Sequence, residues 1–273
     1  MLIRRFPFFD PVVCDHIQSF YEFEEFEDGS KSGTDDRSIK RNYEMKLCEP
    51  LVSFFFDQFY KNPLSRTMLI KRGTYPMFLK YISSEEGHYG FHNDAPCMGK
   101  DGLRSDYVII VGLNDESEYE GGDLIIRYGT ENCMFRLQKG QAIFFDPNYW
   151  HSVTPVTKGE RRVAVMWVET LVQDAFIREV LYDYSDLVYL MHKSIDMDKW
   201  KENSDIEFLT YCNYFRNKIM RQYADYNVYR ASDEELGRFV PPINRYDKNW
   251  DRAFPDYELP ERLRKNNEVQ ESG

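Results

Sequence analysis

Several things are scarce in this sequence, and each scarcity excludes something. No apolar run approaches the roughly 18–20 residues that a helix needs to cross a bilayer, so no spanning helix is expected. Basic residues are outnumbered: 35 Lys and Arg against 46 Asp and Glu leave a formal net charge of −11. A broad surface for nucleic acid or anionic lipid wants the opposite balance, so neither partner is expected. Cysteine is sparse and scattered. The five (Cys14, Cys48, Cys97, Cys133, Cys212) are odd in number and no two have zinc-finger spacing. Free thiols in a reducing cytoplasm are the simplest reading. Met1 to Asp10 offers no long apolar region and no small-residue cleavage site, so no signal peptide and a cytoplasmic location are expected. There is no internal repeat and no low-complexity tract.

What is present is enough for a substantial core: 42% of the 273 residues are apolar and 16% aromatic. The first 70 residues read as helices around a polar loop. Pro11 to Phe20 has a helical apolar pattern with Asp10 placed to cap it, Glu27 to Arg41 is charged and Gly/Ser-rich, and Glu44 to Tyr60 reads as helix again. From Met77 to Thr170 the apolar residues instead fall into short β-branched and aromatic runs. These are Met77–Ile82, His88–Asn93, Tyr107–Leu113, Asp123–Tyr128, Cys133–Leu137, Gln141–Phe145, Ser152–Val156 and Arg162–Val168. No helix-length segment separates them, which argues against a βαβ fold. The expected fold is mainly β with flanking helices, built on a double-stranded β-helix (a jelly roll, cupin-like) core. After Thr170 a helical face returns (Leu171, Phe176, Val180, Leu181, Tyr184, Leu187, Val188, Met191), with a break expected near Asp183–Asp186. Ile206 to Tyr226 reads as a last helix. The expected organisation is one domain over 1–225, with helical support in 1–74, the jelly roll in 75–170 and helical support in 171–225. The Pro- and aromatic-punctuated tail, 226–273, would be either a strap or lid over the domain or a mobile tail.

One constellation carries chemistry. His92-Asn93-Asp94 is a His-x-Asp. On a strand, residues i and i+2 share a face, so His92 and Asp94 point inward and Asn93 outward. His151 opens a strand 57 residues after Asp94 (151 minus 94), and a jelly roll can bring such distant strands together at its mouth. Two imidazoles and one carboxylate on one face leave coordination positions open, the facial arrangement of non-haem Fe(II) oxygenases. Ten residues after His151 stands Arg161. A guanidinium inside a barrel is costly without an anion, and a dicarboxylate co-substrate would supply one through a bidentate fork. Arg162 should face the other way. Alone, a His-x-Asp is a frequent coincidence and a strand histidine is ordinarily structural; the order and spacing of all four residues carry the reading. His88 reads as a loop residue beside the site, and His16 and His192 as packing or surface residues.

At these residues the sequence resembles the iron- and 2-oxoglutarate-dependent dioxygenases of the prolyl 4-hydroxylase type. Within them it looks most like the bacterial PKHD-type hydroxylases associated with iron uptake. The resemblance runs through Tyr81, Gly87-His-Tyr89-Gly-Phe-His92-Asn-Asp94, Leu103-Arg104-Ser105-Asp106 and Leu113-Asn114. It continues in Tyr119-Glu-Gly121-Gly122-Asp123-Leu124 and His151-Ser-Val-Thr-Pro-Val-Thr-Lys-Gly-Glu-Arg161, then in Trp167-Val-Glu-Thr-Leu-Val with Arg178 and Leu181. Weaker matches are Asp28-Gly29 with Lys40-Arg-Asn42, and Asn213 to Ala224, so it spans about 1–225; the tail has no counterpart. The resemblance implies that His92, Asp94 and His151 bind Fe(II). It implies that Arg161 holds the distal carboxylate of 2-oxoglutarate, and that Tyr81 hydrogen-bonds the same carboxylate. O2 is then the remaining co-substrate, and succinate and CO2 leave with a hydroxylated product.

The sequence departs from the family at Asn93, where an apolar residue is usual, at Asp123, where glutamate is usual, and over Asp146-Pro-Asn-Tyr-Trp150. These departures bear on the substrate rather than on the metal. Asp94 is intact, which disfavours halogenation. Tyr89, Arg104 and Trp150 lie near the expected mouth and are the candidates for substrate contact. Three functions stand open on this reading. One is hydroxylation of an amino acid, peptide or protein side chain. Another is hydroxylation, desaturation or cyclisation of a small specialised metabolite. The third is a non-enzymatic jelly-roll binding module, or a cupin-like protein using another metal. Oligomeric state is left open, a homodimer included.

Overall fold

A computed structural model describes residues 3–62, 65, 67–99, 101–194 and 203–225. The tail over 226–273, expected to be a strap or lid or a mobile tail, lies outside the described residues, as does the side chain of His192.

Two antiparallel sheets are laid face to face. The larger runs β1 (Ile3–Pro7), β14 (Gln141–Phe145), β10 (Tyr107–Gly112), β16 (Val156–Thr170), β6 (Met77–Ile82), β4 (Tyr43–Met45), β2 (Phe26–Asp28). Two further strands, β5 (Ile70–Gly73) and β11 (Tyr119–Gly121), also pair with β16. The smaller sheet runs β13 (Glu131–Phe135), β12 (Leu124–Tyr128), β15 (His151–Val153), β7 (His88–His92), β3 (Lys40–Arg41). A short ribbon pairs β8 (Cys97–Met98) with β9 (Leu103–Arg104). Along the chain β6, β7, β10, β12, β14, β15 and β16 alternate between the larger and the smaller sheet, which is the jelly-roll order that the evenly spaced strands predict.

Why the sheets bury each other is visible in the alternation. Leu124, Ile126 and Val153 of the smaller sheet meet Leu79, Val108, Ile110, Phe145 and Val163 of the larger one in a single apolar cluster. The reverse face of the larger sheet (Phe78, Ile109, Val111, Phe144, Ala164, Met166) is covered by α1 (Pro11–Ser19) and α2 (Glu49–Lys61). Tyr107–Gly112 is therefore buried on both faces, which accounts for its unbroken apolar run. Helix α2 presents Leu51, Val52, Phe55, Phe56 and Phe59 to that sheet, a helical stripe in which each large side chain contributes about 1.5–3 kcal/mol on burial. Asp10 caps α1 as expected, its carboxylate accepting from the Val12 amide at 3.0 Å.

Several expectations are corrected. The N-terminal 74 residues are not purely helical: β1 adds to the larger sheet through β14, the two ends of the segment read as a loop belong to β2 and β3, and β4 runs into the start of the stretch read as helix. These pieces are too short to announce themselves by composition, and what makes them strands is the partner they pair with. Glu44 belongs to β4, and helix α2 begins at Glu49 with a proline in its first turn. The final core strand is far longer than Arg162–Val168, running from Val156 to Thr170, while the strand before it ends at Val153. Helix α3 (Ala175–Ser194) is unbroken at Asp183–Asp186, because those exposed acids lower helix propensity only slightly and neither Gly nor Pro interrupts it. The last helix, α4, spans Asn203–Tyr223 rather than 206–226. Among the described residues, no helix is long and apolar enough to cross a membrane.

Candidate active site

Strands β7 and β15 lie side by side in the smaller sheet, with His92 directly opposite His151. Asp94 follows just past the end of β7. Its amide donates to the Pro147 carbonyl at 3.0 Å, so the Asp146–Trp150 loop that departs from the family braces it. One ligand atom from each of His92, Asp94 and His151 falls within 4.8 Å of the others. Nε2 of His92 and of His151 stand 3.7 and 3.8 Å from Asp94 Oδ1. Each imidazole turns its Nδ1 to the carbonyl two residues back, Gly90 for His92 and Tyr149 for His151, both at 2.8 Å. Those bonds select the Nδ1–H tautomer and leave both Nε2 lone pairs facing Asp94.

The electrostatics favour an incoming cation. Burial, and then repulsion from His151, pushes His92 down to about 3, so its approach to Asp94 is that of a neutral ring and not an ion pair. Burial pushes Asp94 up, opposed by His151 and by the hydrogen bond from Trp167. Trp167 Nε1 donates to Asp94 Oδ2 at 2.9 Å, which occupies one oxygen and leaves Oδ1 toward the histidines. Two imidazole nitrogens and one carboxylate oxygen, gathered on one side, suit Fe(II) with open positions. We expect Trp167→Phe to lower Fe(II) affinity by roughly 10–100-fold, the usual cost of losing an outer partner of a ligand, in a competitive chelator titration.

A β-bulge shapes the wall beside the triad. His151 pairs with His92 but Val153 pairs with Tyr89, so β7 carries one extra residue between those pairs. Tyr89 and His92 consequently share a face despite their odd spacing, and their rings stack at 3.6 Å and 16°. The buried Lys40 ammonium sits 5.2 Å over the other partner of that stack, the Tyr89 ring, and donates to Ser32 Oγ at 2.7 Å.

Arg161 stands opposite Tyr81 across β16 and β6, with its guanidinium carbon 5.1 Å from the Tyr81 ring. It is 3% exposed, and among the described residues no carboxylate lies within ion-pair distance of it. A buried, unpaired guanidinium is the feature that a dicarboxylate would satisfy. Gly122 leaves the necessary room, since a Cβ there would press on Arg161 Cδ. Burial raises the Tyr81 and Tyr119 hydroxyls, and Arg161 acts against that rise in both. Arg162 faces away as expected: it bonds Glu160 at 2.6 Å and Gln18 at 3.3 Å, and lies over Tyr21.

The remaining sequence candidates divide. Tyr89 stacks on His92, as described. Trp150 is exposed next to His151, its carbonyl taken by the Arg127 amide at 2.8 Å. Arg104 is committed elsewhere: its fork closes on Asp106 at 2.8 and 2.9 Å, and it also donates to the Thr170 carbonyl. His88 bridges the Glu86 and Ser38 carbonyls, and His16 packs on Phe54. Asp123, in place of the usual glutamate, forms a bidentate pair with Arg136. Sequence reasoning gave no role to Trp167, Tyr119, Lys40 or Asn42, although all four stand in stretches that resemble the family. For Trp167 a signal existed, because the alternation that turns Arg161 inward along β16 turns Val163, Val165 and Trp167 inward too. For the others the family resemblance was the only signal.

A jelly roll holding a His-Asp-His cluster beside a buried, unpaired arginine is the architecture of a 2-oxoglutarate-dependent Fe(II) dioxygenase. Residues 76–169 match the family model of the 2OG-Fe(II) oxygenase superfamily. The chain is 34% identical over 180 residues to a PKHD-type hydroxylase of Gloeothece citriformis, covering 64% of this chain and 80% of that one. It is 30% identical over 162 residues to a PKHD-type hydroxylase of Idiomarina loihiensis, covering 58% and 73%. Among solved structures, a Trichoplax adhaerens prolyl hydroxylase in complex with a hypoxia inducible factor peptide is 15% identical, with 61% and 82% covered and a TM-score of 0.49. A likeness of that degree decides nothing further. The chain belongs to the PKHD-type hydroxylases of the 2OG-Fe(II) oxygenase superfamily, dioxygenases that use Fe(II), 2-oxoglutarate and O2.

Proposed function

We propose that this enzyme hydroxylates an unactivated C–H bond of an amino acid, peptide or protein side chain, with 2-oxoglutarate leaving as succinate and CO2. The observation that carries the reading is the convergence of His92, Asp94 and His151 within 4.8 Å. The buried, unpaired Arg161 supports it. In this reading His92 Nε2, His151 Nε2 and Asp94 Oδ1 hold the iron. The Gly90 and Tyr149 carbonyls fix the rings, and Trp167 fixes the carboxylate. Arg161 takes the distal carboxylate of 2-oxoglutarate through its fork, and the Tyr81 hydroxyl donates to the same group. When bound, Fe(II) and 2-oxoglutarate supply the O2 activation and oxidising power that no side chain offers. The apolar wall of Leu79, Leu124, Ile126 and Val163 keeps water from the pocket. Tyr89 and Trp150 border the substrate, and residues 1–225 act as one domain.

The test is to supply the Fe(II)-loaded enzyme with 2-oxoglutarate, ¹⁸O2 and three substrate pools: free amino acids, peptides, and folded protein. Substrate-dependent succinate release, with one labelled oxygen in the product, is the expected result. Loss of two hydrogens without oxygen gain would transfer the reading to desaturation of a metabolite. Absence of any visible band with Fe(II) and 2-oxoglutarate, in folded and metal-loaded protein, would overturn it altogether.

A further inference from the structure

Among the described residues, the side-chain amide of Asn42 has no well-formed hydrogen bond. The residue is 1% exposed, and neither Nδ2 nor Oδ1 makes a hydrogen bond of normal geometry. Native proteins rarely bury an amide in this way, because the lost hydration is not repaid. Its surroundings indicate where the missing partner belongs. Asn42 links β3 to β4, and β4 runs beside β6 with Tyr43 opposite Lys80, which brings Asn42 next to Tyr81. The Asn42 amide and the Arg161 guanidinium both lie against the Tyr81 hydroxyl and both act against the rise that burial imposes on it. Behind the amide there is no slack. Oδ1 rests on Gly29, where a Cβ would overlap it, and the Gly29 amide donates to the Asn42 carbonyl at 3.0 Å.

We infer that the Asn42 amide is a third donor to the distal carboxylate of 2-oxoglutarate, beside Arg161 and Tyr81. The inference rests on the role proposed above for Arg161. The stoichiometry allows it: a carboxylate offers about four lone-pair sites, of which the arginine fork takes two and a phenol one. Nδ2–H fills the fourth. The consequence is that the co-substrate site is not confined to the jelly roll. It includes the N-terminal β2–β4 segment, which lies outside the family match over residues 76–169. Binding of 2-oxoglutarate therefore ties that segment to β6 and β16. The Gly29 position serves the same end, since only a residue without a side chain lets the amide sit where it does.

Three variants test this against a purely structural role: Asn42→Leu, which keeps the volume and removes the polar atoms; Asn42→Asp, which places a like charge against the carboxylate; and Gly29→Ala, which displaces the amide without changing it. Each is compared with Arg161→Ala by anaerobic titration of 2-oxoglutarate into Fe(II)-loaded protein, read in the visible band. Fe(II) affinity without 2-oxoglutarate and the metal-free Tm are measured alongside. Asn42→Leu should weaken 2-oxoglutarate about 10–100-fold, the range for a hydrogen bond to a charged group. Asn42→Asp should weaken it more, and Gly29→Ala by about tenfold or more. Fe(II) affinity should stay within about twofold. The metal-free Tm of Asn42→Leu should hold or rise, because an unpaired buried amide has gone. A lower Tm with 2-oxoglutarate affinity unchanged would overturn the inference and make Asn42 a structural residue. If Arg161→Ala also left that affinity unchanged, the reading of the pocket itself would fail; if only Arg161→Ala weakened it, the failure would be confined to Asn42.

Discussion

Exchange of His151 for alanine is expected to abolish substrate-dependent succinate release and the visible band that Fe(II) and 2-oxoglutarate form together. Losing an outer partner of a metal ligand costs roughly 10–100-fold in affinity, and losing a ligand itself costs more. His151 is the most thoroughly placed of the three. It is 5% exposed, its Nδ1 is bound to the Tyr149 carbonyl at 2.8 Å, and its ring meets Phe145 edge-on at 5.0 Å. That placement also means alanine leaves a hole between the sheets, so the control is His151→Gln, which keeps most of the volume and still offers a poor ligand. The expected result is a folded protein by thermal denaturation that shows no band in either variant. A full-strength band in His151→Gln would remove His151 from the metal set and with it the proposed mechanism.

The second large effect separates two adjacent arginines. Arg161→Ala should weaken 2-oxoglutarate by roughly 10²–10³-fold, since breaking a buried charge pair costs about 3–5 kcal/mol and each 1.4 kcal/mol is a factor of ten. Arg162→Ala should leave the affinity within about twofold. Its partners, Glu160 and Gln18, lie on the opposite side of β16, and exposed pairs of that kind are worth about 0–1 kcal/mol. The contrast is sharp because the two residues differ in nothing but strand parity. Removing Arg161 should not destabilise the protein without co-substrate: a buried guanidinium without a carboxylate carries its desolvation cost uncompensated, and alanine relieves it. Equal losses from the two variants would mean that the register of β16 against β6 is wrong.

How far these features could be read in advance depends on how local their causes are. Met77–Ile82 and Gln141–Phe145 occupy the very residues that their alternation marks out, because each strand buries one face against the other sheet. His92 and Arg161 were legible for the same reason: a period of two fixes which way each side chain points once the strand is known; Asp94 lies just past the end of β7 and was legible by its His-x-Asp spacing. His151 was legible by its place in the strand order. The N-terminal strands were not. Lys40–Arg41 and Tyr43–Met45 are two and three residues long, set in a charged, polar stretch, and only their pairing with β7 and β6 makes them extended.

Local sequence by itself determined the fold class and the identity of the reacting groups, since hydrophobic period and donor chemistry are properties of neighbouring residues. Tertiary structure alone decided how those groups are finished. The bulge in β7 turns Tyr89 onto His92 against simple alternation. Trp167, 73 residues away, reaches Asp94 because β16 crosses the floor of the site. Asn42 comes to stand beside Tyr81 only because β4 pairs with β6. The bulge follows from the pairing of β7 with β15, and the other two contacts join segments that no local propensity links and that burial of the two sheet faces brings together.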